Sequence, residues 1–235
     1  MDPSRIVFIL YKPAVPGNIG AAARAMKTMG FSELRLIDPA DHLADEARML
    51  AHASNEILEN ASVFSDVESA VYDLDFIVST TAKSKSGKVD YLSSGELRPF
   101  LEDKLVHSGR IGIVFGSEES GLPNSVLLNS NIGVTIPMAV EYPSLNLAQS
   151  VMIIAYELSG IQPSGKENAD DSQPEISWKE LQDKATVLLE EAGISHGTPL
   201  FHRIIERMSL LKASDARLAH SITSKLAART KTGLK

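Results

Sequence analysis

Residues 5–30 read RIVFILYKPAVPGNIGAAARAMKTMG and decide the class of fold. The first seven are apolar or β-prone apart from Arg5, which is typical of a strand buried on both faces. A loop with two prolines follows. From Ile19 an alanine-rich run predicts a helix with Asn18 as its cap and Gly30 as its C-terminal stop. A buried strand that leads through a short loop into a helix is the repeating unit of a parallel α/β sheet.

Strand and helix patterns keep alternating along the next part of the chain. Short apolar runs predict further strands at residues 33–37, 76–80, 111–115 and 133–136. Helical patterns lie at residues 43–60, 67–74 and 146–158 and after Ser93 and Pro123, with a long loop over residues 81–92. We therefore expect an α/β fold with a mostly parallel sheet. The last of these helices is apolar nearly all round, so it is either a central core helix or one that partly faces a second subunit.

Composition excludes several classes of protein. The 235 residues contain no cysteine, which rules out disulfides, thiolate nucleophiles and cysteine-based zinc sites. No two histidines are three or four residues apart, and neither a G-x-S-x-G nor a GxxxxGK motif is present, so we expect no metal. No run approaches the roughly 20 apolar residues of a membrane span, and the opening apolar run is too short for a signal peptide. We expect a cytoplasmic protein that does not enter a membrane.

A change in composition divides the chain. Residues 162–175 are polar and contain two prolines, which is typical of a linker. This predicts a first domain over residues 1–161 and a small extension of three amphipathic helices over residues 176–235. The apolar stripe of the last helix is formed by Leu218, Ile222 and Leu226. From residue 201 onward eight basic residues stand against two acidic ones, although the whole chain has a net charge of −7. This basic extension is either a solvated helical surface or a surface for RNA phosphates.

Three segments carry candidate functional residues. The loop PAVPGNIG at residues 13–20 leads into a helix that bears Arg24, and glycines at a helix start with an arginine nearby suit a phosphodiester. The run VFGSEESGL at residues 114–122 ends a strand with a glycine and two carboxylates, and ligands of open α/β sheets bind beyond the carboxyl ends of the strands. The run IPMAVEYPSLNLA at residues 136–148 brings a serine and an asparagine to a helix start. Taken singly, helix capping or an acidic turn explains each segment.

Taken in order, the three segments are far more specific than any one of them. They are NIGAAARAMKTMGF from residue 18, VFGSEESGL from residue 114 and IPMAVEYPSLNLAQSVMIIAYEL from residue 136. With them the chain resembles the SPOUT methyltransferases, specifically the SpoU/TrmH-like RNA ribose 2′-O-methyltransferases of the TrmJ and LasT branch, over residues 5 to about 160. The resemblance implies a deep trefoil knot in the α/β domain, an exception to the rule against knots. It also implies a homodimer in which each active site takes its RNA-facing arginine from the partner chain.

The reaction implied by the resemblance is methyl transfer from S-adenosylmethionine to a ribose 2′-hydroxyl of RNA. The expected substrate is tRNA, in its anticodon loop, and rRNA is the alternative. The implied cofactor-binding residues are Thr80, Thr81, Ala82, Gly116, Ile136, Pro143, Ser144 and Leu145. The implied catalytic residues are Arg24, Asn18, Glu118, Ser144 and Asn146.

Chemistry narrows the role expected of Arg24. A hydroxyl is a poor nucleophile until its proton leaves, so the site must accept that proton or stabilise the developing oxyanion. A guanidinium stays protonated and has no acceptor, so we expect Arg24 to clamp the adjacent phosphate and offset charge on the oxygen rather than act as the base. The other implied catalytic residues would then orient ribose, phosphate and Arg24.

Two residues depart from the family pattern. Ser117 stands where TrmJ-like enzymes usually carry an arginine or asparagine before the motif glutamate, and Pro143 stands where the closest tRNA enzymes have a serine. Both leave the choice of substrate open. Because of Ser117, an RNA-binding protein that keeps the fold without turnover is a second interpretation. A generic nucleotide-binding domain is a third, and the absence of a G-x-G-x-x-G fingerprint after the first strand counts against it.

Overall fold

The apolar runs of the sequence form the strands of a single seven-stranded sheet. A computed structural model of the chain describes residues 5–82, 91–106, 108–140, 144–162 and 177–231. The strands are β1 Ile6–Tyr11, β2 Leu34–Ile37, β3 Ser62–Phe64, β4 Phe76–Thr80, β5 Tyr91–Ser93, β6 Ile111–Gly116 and β7 Ile132–Thr135. The helices are α1 Pro16–Thr28, α2 Asp45–Ala51, α3 Asn55–Glu59, α4 Val67–Val71, α5 Ser94–Lys104, α6 Asn124–Leu128, α7 Leu147–Leu158, α8 Trp178–Glu191, α9 Pro199–Ser209 and α10 Ala213–Lys231.

The sheet has the strand order β3-β2-β1-β6-β4-β7-β5. Every pairing among the described strands is parallel, which confirms the predicted α/β class. All strands therefore have their carboxyl ends at one edge of the sheet, which we call the carboxyl edge. The opposite edge is called the amino edge.

Side chains of β1 alternate between two layers of core. Phe8 and Leu10 belong to the larger hydrophobic cluster, whereas Val7 and Ile9 belong to the cluster on the other face. Residues of a strand point to opposite faces in turn, so helices must cover both faces of this strand. This explains why the run around β1 is apolar without alternation.

Three local predictions differ from the structure. Asn18 is not the cap of α1, because the helix already begins at Pro16, and proline favours the first helical position through its fixed φ. The helix predicted over residues 43–60 is broken into α2, a 3₁₀ turn and α3, at a point where His52 has a φ of 52°. The short strands β3 and β5 were not expected, and β5 begins inside the predicted loop. The predicted stop at Gly30 is confirmed by its φ of 89°.

The C-terminal helices pack at the amino edge of the sheet. The Ser177 hydroxyl donates to the Asp75 carboxylate, 2.8 Å away, just before β4. The side-chain amide of Asn131, just before β7, donates to Gln182 on α8 at 2.9 Å. The Trp178 ring lies edge-on to Phe76, with ring centroids 6.1 Å apart, and belongs to the main core cluster. The extension is thus attached at the edge opposite the strands' carboxyl ends.

A buried lysine fastens this attachment. The Lys104 side chain is 1% exposed, and its ammonium lies 4.1 Å from the Trp178 ring centroid and 4.8 Å from that of Phe100. It donates to the Leu211 carbonyl between α9 and α10. Burial lowers the pKa of the Lys104 ammonium to about 8, partly offset by the Asp103 carboxylate 3.6 Å away.

The last helix does not bury the face that its sequence pattern suggests. Leu218, Ile222 and Leu226, predicted as a packing stripe, are 65%, 59% and 46% exposed. Instead Ala213 and Ala216 are the buried apolar residues near its start. Small side chains let α10 lie close to its neighbours, whereas the larger stripe faces outward. Among the described residues, no helix combines the length and hydrophobicity needed to cross a bilayer.

An ion network ties the amino edge together. Arg35 is buried and makes a bidentate contact with Asp73, at 2.6 and 2.8 Å. Arg110 reaches the same carboxylate at 2.6 Å and Glu33 at 2.9 Å. The Arg35 hydrogen bond lowers the pKa of Asp73 to about 2.

We predict that Asp73→Asn lowers the free energy of unfolding by about 2 kcal/mol near pH 7. The folded pKa lies below the unfolded one, so this contribution is present above about pH 4 and is lost as pH falls toward 2. Urea denaturation at both ends of this range measures it. The matched control is Asp38→Asn, which removes an exposed pair with Lys12 and should cost less than about 1 kcal/mol. Equal effects of the two variants would contradict the assignment.

Candidate active site

A pocket of about 400 Å³ opens at the carboxyl edge of the sheet. The segments after β4, β6 and β7 and the first turn of α7 line it. This volume is within the usual range for small-molecule sites. The predicted site residues in its lining are Thr80, Thr81, Ala82, Gly116, Glu118, Ile136, Ser144 and Leu145. The structure therefore brings three segments that are distant in sequence to one place. Pro143 lies outside the described residues.

The pocket begins where β6 leaves the sheet at Gly116. This residue pairs with Tyr11 of β1 and has a φ of 117°, a conformation that side chains with a Cβ rarely adopt. A Cβ at this position would also overlap the Tyr11 carbonyl oxygen. Glycine is thus required both for the turn and for the close approach of the two strands.

The Glu118 carboxylate joins this loop to the start of α1. One oxygen accepts from the backbone N–H of Ala14 at 3.1 Å, and the other accepts from the Asn18 side-chain amide at 3.3 Å. We call this pair of contacts the Glu118 clasp. It places Asn18 beside the pocket's glutamate, although Asn18 itself is outside the lining.

The ends of the neighbouring strands are held by short contacts. The Thr80 hydroxyl donates to the Val114 carbonyl at 3.0 Å, which ties the end of β4 to β6. The backbone N–H of Thr81 donates to the Val134 carbonyl at 2.9 Å, which ties the segment after β4 to β7. These bonds organise the wall of the pocket from backbone and hydroxyl groups.

Arg24 is not part of the pocket in its own chain. It lies six residues beyond Asn18 on α1, about 9 Å further along the axis and about 240° around it. The side chain is exposed, and within the described part of the chain it makes no hydrogen bond or ion pair. Asn18, which takes part in the Glu118 clasp, and Arg24 therefore lie on different faces of α1.

Asn146 caps α7. Its side chain accepts from the Gln149 backbone N–H at 2.7 Å, and the Gln149 side chain accepts from the Asn146 backbone N–H at 3.0 Å. This reciprocal capping box fixes the start of the helix. Asn146 is outside the lining, whereas the exposed Ser144 two residues earlier is inside it.

Several lining residues were not predicted as site residues. Glu119, Met138 and Ser150 are examples. All three belong to the quoted motifs, so the motifs themselves were the available signal. Ser150 lies one turn after the cap of α7, and its hydroxyl donates to the Asn146 carbonyl at 3.1 Å. Ser117, which departs from the family pattern, has its hydroxyl 3.0 Å from that of Ser120 at the pocket.

The charges of the pocket limit its chemistry. Its described lining contains two carboxylates, those of Glu118 and Glu119, and no lysine, arginine or histidine. Apolar walls are provided by Leu122, Leu127 and Ile136. No group of three or more acidic or histidine side chains suited to a metal ion is found among the described residues. Such a pocket suits a small molecule with an apolar part and a positive charge, but by itself it offers no cation to a phosphate.

Comparison with known proteins shows a consistent likeness. The sequence profile of the SpoU rRNA Methylase family matches residues 5–156. The chain is 39% identical to an uncharacterized tRNA/rRNA methyltransferase, LasT, of Escherichia coli over 93% of this chain and 95% of that one. It is 36% identical to the tRNA (cytidine-2′-O-)-methyltransferase TrmJ of Methanocaldococcus jannaschii over 65% of this chain and 66% of that one. The crystal structure of TrmJ from Z. mobilis superposes with a TM-score of 0.63 at 27% identity, covering 94% of this chain and 98% of that one.

We predict that Gly116→Ala lowers the free energy of unfolding by about 3 kcal/mol or more, because it adds both backbone strain and a clash with Tyr11. Gly121→Ala is the matched control. Gly121 has a φ of 70° but open space around its Cα, so its substitution should cost only about 1–2 kcal/mol. Thermal or urea unfolding of both variants measures the difference. A Gly116→Ala protein as stable as Gly121→Ala would show that the strands do not approach as described.

Proposed function

The chain belongs to the SpoU rRNA Methylase family, and from this we propose that it is an S-adenosylmethionine-dependent RNA methyltransferase that modifies a ribose 2′-hydroxyl. The observation that carries the proposal is the pocket at the carboxyl edge, which the second and third family-like segments line and which the Glu118 clasp joins to Asn18 of the first segment. We propose tRNA as the substrate, because TrmJ of Methanocaldococcus jannaschii is named as a tRNA 2′-O-methyltransferase. The relative from Escherichia coli is named as a tRNA/rRNA methyltransferase, so rRNA is the second candidate substrate.

The lining residues suit the proposed methyl donor. When bound, S-adenosylmethionine supplies an electrophilic methyl group on a positively charged sulfur. Residues 80–82 and 144–145, together with Gly116 and Ile136, would hold it through backbone groups, hydroxyls and apolar contacts. Two carboxylates and no basic group in the described lining are compatible with a cationic ligand.

The RNA must be held by groups outside this lining. A phosphate next to the reacting ribose needs a cation, and a guanidinium forms two parallel hydrogen bonds with it. We propose that Arg24 of a second copy supplies this cation and offsets the charge that develops on the 2′-oxygen. The exposed position of Arg24, turned away from its own clasp, supports this arrangement. Asn18 and Glu118 would position the start of α1, and Asn146 the start of α7.

A homodimer through α1 and α7 is part of this proposal. These two helices pack against each other within the chain. On α7, Met152 and Tyr156 are 37% and 64% exposed, one turn apart on a helix whose other face is core. An apolar face next to the helix that carries Arg24 is a reasonable surface for a second copy.

Other expectations are not tested by these findings and stay predictions. The trefoil knot is one, and residues 83–90 and 141–143 lie outside the described part. The domain boundaries are another, because most of the predicted linker also lies outside it. The basic extension as an RNA surface and the cytoplasmic location remain predictions in the same way.

We predict that the purified protein binds S-adenosylmethionine in calorimetric titration and transfers tritium from it to unmodified tRNA. Ribose-methylation maps should also be compared for RNA from cells with and without the protein. RNA from the cells without it should lack a single class of 2′-O-methyl sites. Binding without transfer to either tRNA or rRNA would favour the interpretation as an RNA-binding protein without turnover. Absence of binding would reject the proposed function.

The origin of Arg24 is tested by mixing two inactive variants. Arg24→Ala should keep donor affinity and lose transfer, and Ala82→Trp should block the pocket by bulk. Random mixing gives about half heterodimers, each with one complete site if Arg24 acts across the interface. Activity should then return to about a quarter of the wild-type value. If Arg24 served its own pocket, every site in the mixture would lack one component and activity would stay absent.

A further inference from the structure

The two carboxylates of the pocket, those of Glu118 and Glu119, differ in their hydrogen bonding. Both oxygens of Glu118 are used in the clasp, by the Ala14 N–H and the Asn18 amide. Glu119 also lines the pocket, but it is exposed, and in the described part of the chain its carboxylate makes no hydrogen bond or ion pair. Glu119 is therefore the lining carboxylate that is available to a ligand.

The charge of the ligand changes during the proposed reaction. The methyl donor carries a positive sulfonium, a positive ammonium and a negative carboxylate. After the methyl group has moved to the ribose oxygen, the sulfur is a neutral thioether, and the hydroxyl proton has gone to solvent or a base. The net charge of the ligand thus falls from +1 to zero while the charge of the pocket stays the same.

On the basis of the proposed function, we propose that Glu119 is a specificity-determining residue that makes the pocket prefer the cationic donor over its neutral product, S-adenosylhomocysteine. No lysine, arginine or histidine of the described lining neutralises Glu119 from within the pocket. Its carboxylate attracts the sulfonium form and gains nothing from the thioether, so the interaction is lost at the moment of transfer. The consequence is that the donor competes more effectively with the product for the pocket.

The position of Glu119 sets the size of the effect. It is exposed to solvent, and an ion pair in such a place is screened and contributes modestly. Removing its charge should therefore weaken donor binding by about two- to fivefold at low salt. The effect should shrink as salt is raised to about 1 M.

The test is a pair of calorimetric titrations, with S-adenosylmethionine and with S-adenosylhomocysteine, on the wild type and on Glu119→Gln. We expect the variant to lose about two- to fivefold in donor affinity with little change in product affinity, so that the ratio of the two constants falls. Glu119→Lys should lower the ratio further. Glu68→Gln on α4 is the matched control, since it removes an exposed carboxylate outside the pocket and should leave both affinities unchanged.

Two outcomes would overturn the inference in distinguishable ways. In the first, the wild type binds the donor, and Glu119→Gln either weakens the binding of donor and product equally or weakens neither. Glu119 then does not distinguish the two charge states of the sulfur, and the proposed function stands. If the wild type binds neither compound, the proposed function itself fails, and the inference fails with it.

Discussion

The carboxyl ends of β1 and β6 approach each other so closely that only glycine fits at position 116. The Tyr11 carbonyl occupies the space of a Cβ, and the positive φ of Gly116 turns the chain out of the sheet at that point. Two residues later Glu118 contacts Ala14 in the loop after β1 and Asn18 in α1. The pocket and the clasp are therefore consequences of one backbone constraint, which explains why a short motif after β6 contributes so much of the site.

Much of the fold was predictable because its central strands are buried on both faces. Runs such as Ile111–Gly116 have no solvent-facing side, so they are apolar throughout and easy to recognise. The edge strands β3 and β5 have three residues each, too few for periodicity to register. The prediction that the apolar stripe of α10 packs against the protein was wrong. Amphipathic spacing shows that one face of a helix is apolar, but it does not show that another element covers that face.

The site was predictable as a set of segments and less so as a set of contacts. Motif order indicated that residues near 80, 116 and 144 meet, and their side chains do line one pocket. Helix capping was one interpretation of Asn146 and the capping box confirms it, whereas motif order could not show that Arg24 is turned away from the Glu118 clasp. The direction of Arg24 depends on how α1 is seated, because successive residues of a helix are about 100° apart around its axis.

The distribution of charge bears on how the proposed RNA substrate would be bound. The pocket at the carboxyl edge has no basic side chain in its described lining, whereas the excess of basic residues lies in the C-terminal extension. That extension is fastened to the amino edge by Trp178 and the buried Lys104, and strands of five or six residues separate the two edges by about 15–20 Å. An RNA that touches both surfaces of one chain must span that distance. For the proposed tRNA substrate, the pocket and the extension of one chain would therefore be contacted by parts of the RNA that lie at least that far apart.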